Sequence, residues 1–416
     1  MNLNVKGAAP VAPCYIQDYG LICALGEGKA AVSAALARWQ QAGITPLDAE
    51  RAVLSDGRLT PVGRVHAELP AIPATFCAYE SRNNRLLLAA LAQIQPALDG
   101  FKRRLGADRI AIVLGTSTSG IAEAEVAVAA MHSGQPLPAG FDYRQQELGS
   151  PSEFLARHLG LTGPAYTLST ACSSSARAFI SGQRLLMSGL ADAVIVGGAD
   201  SLCGLTLNGF DSLESLSLER CRPFGRERRG INIGEGAALF LLTREHAELA
   251  LLGAGESSDA WHISAPHPEG IGAEAAMAMA LRQAGLGAAD LDYINLHGTA
   301  TRLNDEMESQ ALARLFGGKG TAPCSSTKML TGHTLGAAGA IEAALCCLLM
   351  ELGLALPHQG GEQDPALAPI ALVQAGVASG RGRSVARVLS NSFAFGGNNA
   401  SLLLGRTVPI DQGKEA

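Results

Sequence analysis

Short apolar runs rich in β-branched residues alternate along this chain with longer runs rich in Ala and Leu. That rhythm limits the possible folds more than any other feature. "RIAIVLGTS" (109–117) reads as a buried strand stopped at Gly115, and "ADAVIVGGAD" (191–200) as another with a Gly-Gly stop. "GAALFLLTRE" and "LDYINLHGT" are two more, and "SVARVLSNSFAFGG" with "NASLLLG" reads as a closing hairpin. Between them, "NRLLLAALAQIQPAL", "SEFLARHLG", "ARAFISGQRLLMSGL", "AEAAMAMALRQAGL" and "GAIEAALCCLLMELGL" carry the helical pattern. Continuously apolar strands need both sheet faces covered, so the chain is expected to form a layered α/β fold with mixed sheets.

At 416 residues the chain has room for two or three domains or one large layered fold. "STACSSSARAFISG" and "GHTLGAAGAIEAAL" share a pattern: a polar loop feeds a helix of small residues, which lets backbones approach closely. This points to an internal duplication, with halves 1–245 and 246–416 divided near Glu245. "SGQPLPAGFDYRQQELGSP" (133–151) reads as an excursion or a partner-facing loop.

Only 17% of residues are charged, which favours further burial in an oligomer, and the net charge of -6 argues against general nucleic-acid binding. The nine Cys include no CxxC framework and no zinc-ligand spacing with the nine His, so no metal is expected. The opening "MNLNVKGAAP" lacks the charged and apolar regions of a secretory signal, and no uninterrupted apolar run reaches the roughly 20 residues of a membrane span. A cytoplasmic, reducing setting is the expectation.

Four places carry chemistry. "TLSTACSSSA" (167–176) sets Cys172 among small hydroxylated residues just before a helix. His297 in "NLHGTATRLND" follows a strand at its C-terminal end, where α/β folds collect site residues. Lys328 and His333 stand in "SSTKMLTGHTLGAAGAIEAA", a Gly-punctuated loop entering a helix, with Glu342 nine residues beyond His333. "NSFAFGGNNA" is an aromatic-glycine loop able to present backbone N–H groups. Singly, each has a plain structural explanation: a hydrogen-bonded scaffold His, a solvated Lys, an ordinary turn. The combination favours acyl transfer. A helix N-terminus lowers a thiol's pKa, a thiolate attacks thioesters, and two N–H groups, from Cys172 and Phe395, could hold the oxyanion. Two imidazoles could then steady an enolate.

Together "TACSSSA", "LHGTATRLND", "TKMLTGHTLGAAGAIEA", "NSFAFGGNNA" and "RCRPFGRERRGINIGEGAALFLL" resemble the β-ketoacyl-acyl carrier protein synthases of the thiolase superfamily, in the family's order over roughly residues 105–405. The resemblance implies a layered αβαβα fold of two duplicated halves with mixed five-stranded sheets. It implies that Cys172 receives the acyl chain and that His297 and His333 promote malonyl decarboxylation, with Lys328 and Glu342 orienting the His loop. Phe393 and Phe395 would form the gate, Thr299 and Thr301 would bind the pantetheine arm, and Thr118 and Ile231 would line the acyl pocket. The implied reaction is a decarboxylative Claisen condensation by an acyltransferase that needs no cofactor beyond the carrier's phosphopantetheine. A thiolase would offer a second Cys near the chain end and a chain-initiating synthase His with Asn; neither pattern stands here.

Four departures from the family pattern argue against housekeeping elongation: Ala394 between the gate phenylalanines, Ile231 at a position often Phe, Asn398 at a position often Thr, and a weak match of the first 75 residues beyond "DYGLICALGEG". The wording "NLHGTATRLNDEMES" resembles instead the synthases of a specialised pathway such as aryl polyene synthesis. Arg220, Arg222, Arg226, Arg228 and Arg229 read as a docking patch for an acidic acyl carrier protein. The resemblance also implies a dimer with edge-to-edge core sheets: a homodimer, or a heterodimer with a synthase-like chain-length factor. The rival readings are housekeeping elongation, the silent chain-length-factor role itself, and a hydrolytic or other transfer use of the thiol.

Overall fold

The computed structural model describes residues 11–376 and 385–407. The chain's opening ten residues, and Ser384 at the head of the tail hairpin, lie outside the described residues. Among the described residues, ten strands build the core. They are β1 (Cys14–Cys23), β2 (Ile110–Gly115), β3 (Ala165–Leu168), β4 (Ala193–Asp200) and β5 (Gly236–Thr243), then β6 (Leu249–Ser258), β7 (Tyr293–Asn295), β8 (Cys324–Ser325), β9 (Arg387–Phe393) and β10 (Asn398–Arg406). The first five lie in the order β3-β2-β4-β5-β1, the last five in the order β8-β7-β9-β10-β6. Numbered within its own half, each set runs third, second, fourth, fifth, first. Each has its first two pairings parallel and its last two antiparallel. The duplication hinted at by two helix starts is thus carried by the strand order. Cys14 to Ile16 of β1 pair with Leu249 to Leu251 of β6, joining the two five-stranded sets into one ladder.

Among the described residues, ten helices accompany the strands: α1 (Gly28–Ala42), α2 (Arg82–Leu105), α3 (Ile121–His132), α4 (Ser150–Leu159), α5 (Ser174–Met187), α6 (Gly204–Ser212), α7 (Ile271–Gln283), α8 (Arg302–Leu315), α9 (Lys328–Thr331) and α10 (Ala338–Leu352). α5 and α10 pack on each other and touch strands of both sets, which makes them the middle layer. α2 covers the outer face of the first set and α7, with α8 against it, that of the second. The segment Leu335–Leu352 has the length and hydropathy of a membrane span, but 89% of it is buried in the protein, the mark of a core helix.

Small residues allow the central layer to form. A Cβ on Gly339 of α10 would stand 2.8 Å from Cβ of Ala176 on α5. One on Gly115, at the end of β2, would stand 2.2 Å from the Ser175 amide nitrogen. Ala340 N–H donates to Ser175 Oγ (2.9 Å), tying the two helix starts together. The excursion at 133–151 exposes Leu137, Tyr143 and Leu148 while Gln145, buried, accepts the Gly120 N–H through its carbonyl.

Candidate active site

Cys172 follows β3 in a tight turn. Ala171, just before it, has φ of 51°, a left-handed conformation unfavourable for a residue with a side chain. Ser173 caps α5, so the thiol stands at the helix start as expected. His297 leaves the C-terminal end of β7, and both it and the next residue are clamped by Glu308 of α8. The N–H groups of His297 and Gly298 each donate to that carboxylate at 2.8 Å. One turn earlier, Asp305 accepts the N–H groups of Phe224 (2.6 Å) and Ala300 (3.1 Å). His333 sits between α9 and α10. Its N–H donates to the Asn232 carbonyl at 2.7 Å and its own carbonyl accepts Gly234 N–H at 2.9 Å.

These elements meet at one point. His333 Nε2 is 3.0 Å from Cys172 Sγ. The two imidazoles stand edge-on, with centroids 5.5 Å apart and planes at 84°. Lys328 is fully buried rather than solvated. Its Nζ donates to Glu342 Oε1 (2.5 Å) and to the His297 carbonyl (2.6 Å), and lies 3.5 Å from His297 Nδ1. The cavity on Cys172 is only about 20 Å³ and is walled by Ile231, Phe210, Thr299, Thr301, Phe393 and Phe395, among others. A cleft of about 460 Å³ shares Thr301, Asn304, Phe393 and Phe395 with it and opens outward past Arg229 and Arg302. Thr299 and Thr301 face each other across 3.0 Å between hydroxyl oxygens.

The thiol's acidity departs from the sequence expectation. The helix start was expected to lower its pKa, yet burial pushes the thiol up to about 11. The Lys328 cation and the N–H groups of Phe395 and Cys172 pull the other way without outweighing that cost. Burial, and then the Lys328 charge, hold His297 and His333 well below the ordinary imidazole range, so both rings are neutral.

One other assignment, Arg228, is corrected. Thr118 stands outside the small cavity at the thiol. It is fully buried and its hydroxyl donates to Asp200 Oδ1 (2.7 Å). Arg228 is not a surface cation: its side chain is 9% exposed and pairs with Asp364 at 2.6 Å. Arg220, Arg222 and Arg226 do line an open groove of about 350 Å³, although Arg220 also pairs with Asp48 and Arg222 with Glu227. Ala394 has φ of -97° and ψ of 157°, ordinary extended backbone, so its methyl costs nothing in this gate conformation. Gly396 and Gly397, at 78° and 75°, supply the left-handed turn. Asn398 Oδ1 accepts a hydrogen bond from Arg177 (2.9 Å).

Four buried carboxylates escaped the sequence reading: Asp305, Glu308, Asp200 and Glu235. Asp200 receives the Thr116 hydroxyl and the Ser117 and Thr118 N–H groups on one side and Ala337 N–H on the other, binding the β2 turn to the His333 loop. The available signal was an acidic pair at i,i+3 in "NDEMES" and an Asp closing an apolar strand.

The family described as Beta-ketoacyl synthase, N-terminal domain, matches residues 11–247, and its C-terminal domain matches 249–362. The chain is 40% identical over 263 residues to 3-oxoacyl-[acyl-carrier-protein] synthase 2 of Rhizobium meliloti (strain 1021), a match covering 59% of this chain and 62% of that relative's length. It is 52% identical to one chain of the complex of the ketosynthase ApeO with its chain length factor ApeC from Xenorhabdus doucetiae, with a TM-score of 0.88 over 95% of this chain and 98% of that one. A chain of the ishigamide ketosynthase/chain length factor is 27% identical, with a TM-score of 0.82 over 95% and 99%. With the layered duplicated fold and family matches across both halves, the chain belongs to the beta-ketoacyl synthase family.

Proposed function

We propose that the chain is a 3-oxoacyl-[acyl carrier protein] synthase. The observation that carries this is the Cys172 thiol held 3.0 Å from His333 Nε2, with His297 in the same buried cluster. In acylation the Cys172 proton passes to His333 Nε2 as sulfur attacks the acyl thioester, and the oxyanion is met by the Cys172 and Phe395 N–H groups. Collapse expels the carrier thiolate, which takes the proton back from His333. In condensation malonyl-carrier loses carbon dioxide. The enolate oxygen is held by His297 Nε2–H and by His333 in its Nε2–H tautomer, and its carbon attacks the Cys172 acyl group to give 3-oxoacyl-carrier and the Cys172 thiolate, which takes a proton from solvent to restore the thiol. His297 is the fixed donor, because Lys328 occupies its Nδ1 side and leaves the hydrogen on Nε2.

The cleft past Thr301 suits a pantetheine arm, and Arg222, Arg226, Arg229 and Arg302 around it and the neighbouring groove suit an acidic carrier protein. β3 ends the first sheet with an open edge among the described residues, which suits edge-to-edge pairing with a second synthase-like chain. The likeness to the ApeO–ApeC complex, a ketosynthase with its chain length factor, supports a chain length factor in that place; a specialised pathway of the aryl polyene kind over housekeeping elongation is proposed on Ala394, Ile231 and Asn398. The complete Cys-His-His set disfavours the silent-partner reading. Intact-mass detection of an acyl adduct on Cys172 from a panel of acyl-carriers, followed by carbon dioxide release from malonyl-carrier, tests the proposal. An adduct that survives Cys172→Ala, or acyl loss to water without carbon dioxide release, refutes it.

A further inference from the structure

The thiol and the two imidazoles are also a donor set of the kind that binds zinc. Cys172 Sγ and one ring nitrogen from each of His297 and His333 all lie within 4.8 Å of one another, and all three residues are buried. A tetrahedral Zn²⁺ with Zn–S near 2.3 Å and Zn–N near 2.0–2.1 Å needs sulfur–nitrogen separations of roughly 3.5 Å. With Sγ to His333 Nε2 at 3.0 Å, small side-chain adjustments would reach that geometry. His333 Nδ1 is buried without a partner, while its Nε2 faces the Cys172 sulfur. Three protein ligands with a fourth position open to a cleft is the arrangement of catalytic zinc sites. Sequence spacing concealed it because the ligands come from three distant loops.

Lys328 opposes it. An ammonium group has three hydrogens and no lone pair, so beside His297 Nδ1 it makes that nitrogen the acceptor and puts the ring hydrogen on Nε2. A nitrogen bearing hydrogen offers no pair to a metal. The ammonium also sets a positive charge against the cluster, held there by Glu342 and the His297 carbonyl. We infer that Cys172, His297 and His333 form a latent site for a thiophilic dication of the Zn²⁺ class, and that Lys328 is the group that bars it. Metal entry then requires the thiol proton to leave to solvent and the His297 hydrogen to move to Nδ1, toward the Lys328 ammonium 3.5 Å away. The inference stands independently of the proposed reaction.

Co²⁺ is the probe, because thiolate ligation to it gives a sulfur-to-metal charge-transfer absorption. The purified wild type, the neutral double variant Lys328→Gln/Glu342→Gln, and that variant with Cys172→Ser are titrated under reducing, anaerobic conditions. The double variant is expected to bind Co²⁺ at least about tenfold more tightly than the wild type. It should show the charge-transfer band, and Cys172→Ser should remove the band. A wild type that binds as tightly with the same band, or a folded double variant that shows none, overturns the inference. Should the double variant fail to fold, Lys328→Met makes the same comparison with the same outcomes.

Discussion

Replacing His333 with Asn tests how the buried thiol loses its proton. With the thiol at about 11, the thiolate present at pH 7 is about one part in 10⁴, since each pH unit is a factor of ten. The wild type does not depend on that fraction, because His333 Nε2 at 3.0 Å takes the proton during attack. The substitution removes the acceptor but not the burial that sets the thiol's pKa, so acylation must draw on preformed thiolate. The rate of Cys172 acylation is expected to fall by about 10²–10⁴ at neutral pH, the usual reach of a positioned base. The pH profile changes as well. Wild-type acylation should be nearly level from about pH 7 to about pH 9, since His333 is already neutral there, whereas His333→Asn should rise about tenfold per pH unit. Quenched-flow intact-mass measurement of acyl-Cys172 reads both. A variant that acylates at the wild-type rate with a level profile would show that the helix start and the nearby N–H groups suffice to ionise the thiol.

Glu308 is pushed by burial from 4.5 to about 7, so ionising it opposes folding. Because its folded pKa lies above its unfolded one, stability falls as pH rises from about 4.5 to about 7, by about 3 kcal/mol from this group; urea unfolding at either end should show a smaller fall in Glu308→Gln. Gly339→Ala places a methyl 2.8 Å from Ala176 Cβ. Overpacking of about 1–3 kcal/mol should outweigh the gain in helix propensity and lower the melting temperature by a few degrees. Arg222→Glu with Arg226→Glu should raise KM for the carrier protein several-fold with kcat little changed, read by steady-state kinetics at low and high salt. Arg228→Glu should instead lower the melting temperature, since it sets two carboxylates against each other where Arg228 now meets Asp364.

What the sequence displayed followed from how local each signal was. Cys172, His297 and His333 stand in short loops whose neighbours are chemically unusual, and the strands β2, β4 and β5 are unbroken apolar runs. β1 escaped because Gln17 and Asp18 interrupt its pattern where the register shifts between Ile16 and Asp18. β6 was hidden by Gly253 and Gly255, which read as turn residues. They are there because carbonyl oxygens of α7, from Ala280 and Ala276, would lie within 2.2 Å and 2.0 Å of a Cβ at those positions. Glu308, Asp305 and Asp200 look like solvated acids in one dimension, since only the tertiary structure aims backbone N–H groups at them. The direction of the thiol's pKa is hidden for a similar reason: a helix start is visible locally, whereas burial is set by residues far away in the chain.

The strand order is repeated, but the chemistry is not. The sulfur belongs to the first repeat and both imidazoles to the second, so the 3.0 Å between Sγ and Nε2 is an interfacial quantity. Any slippage of one repeat against the other is felt in full as an error in that distance. Atomic-scale tolerance at the reacting pair is therefore inherited from the stiffness of the α5–α10 seam.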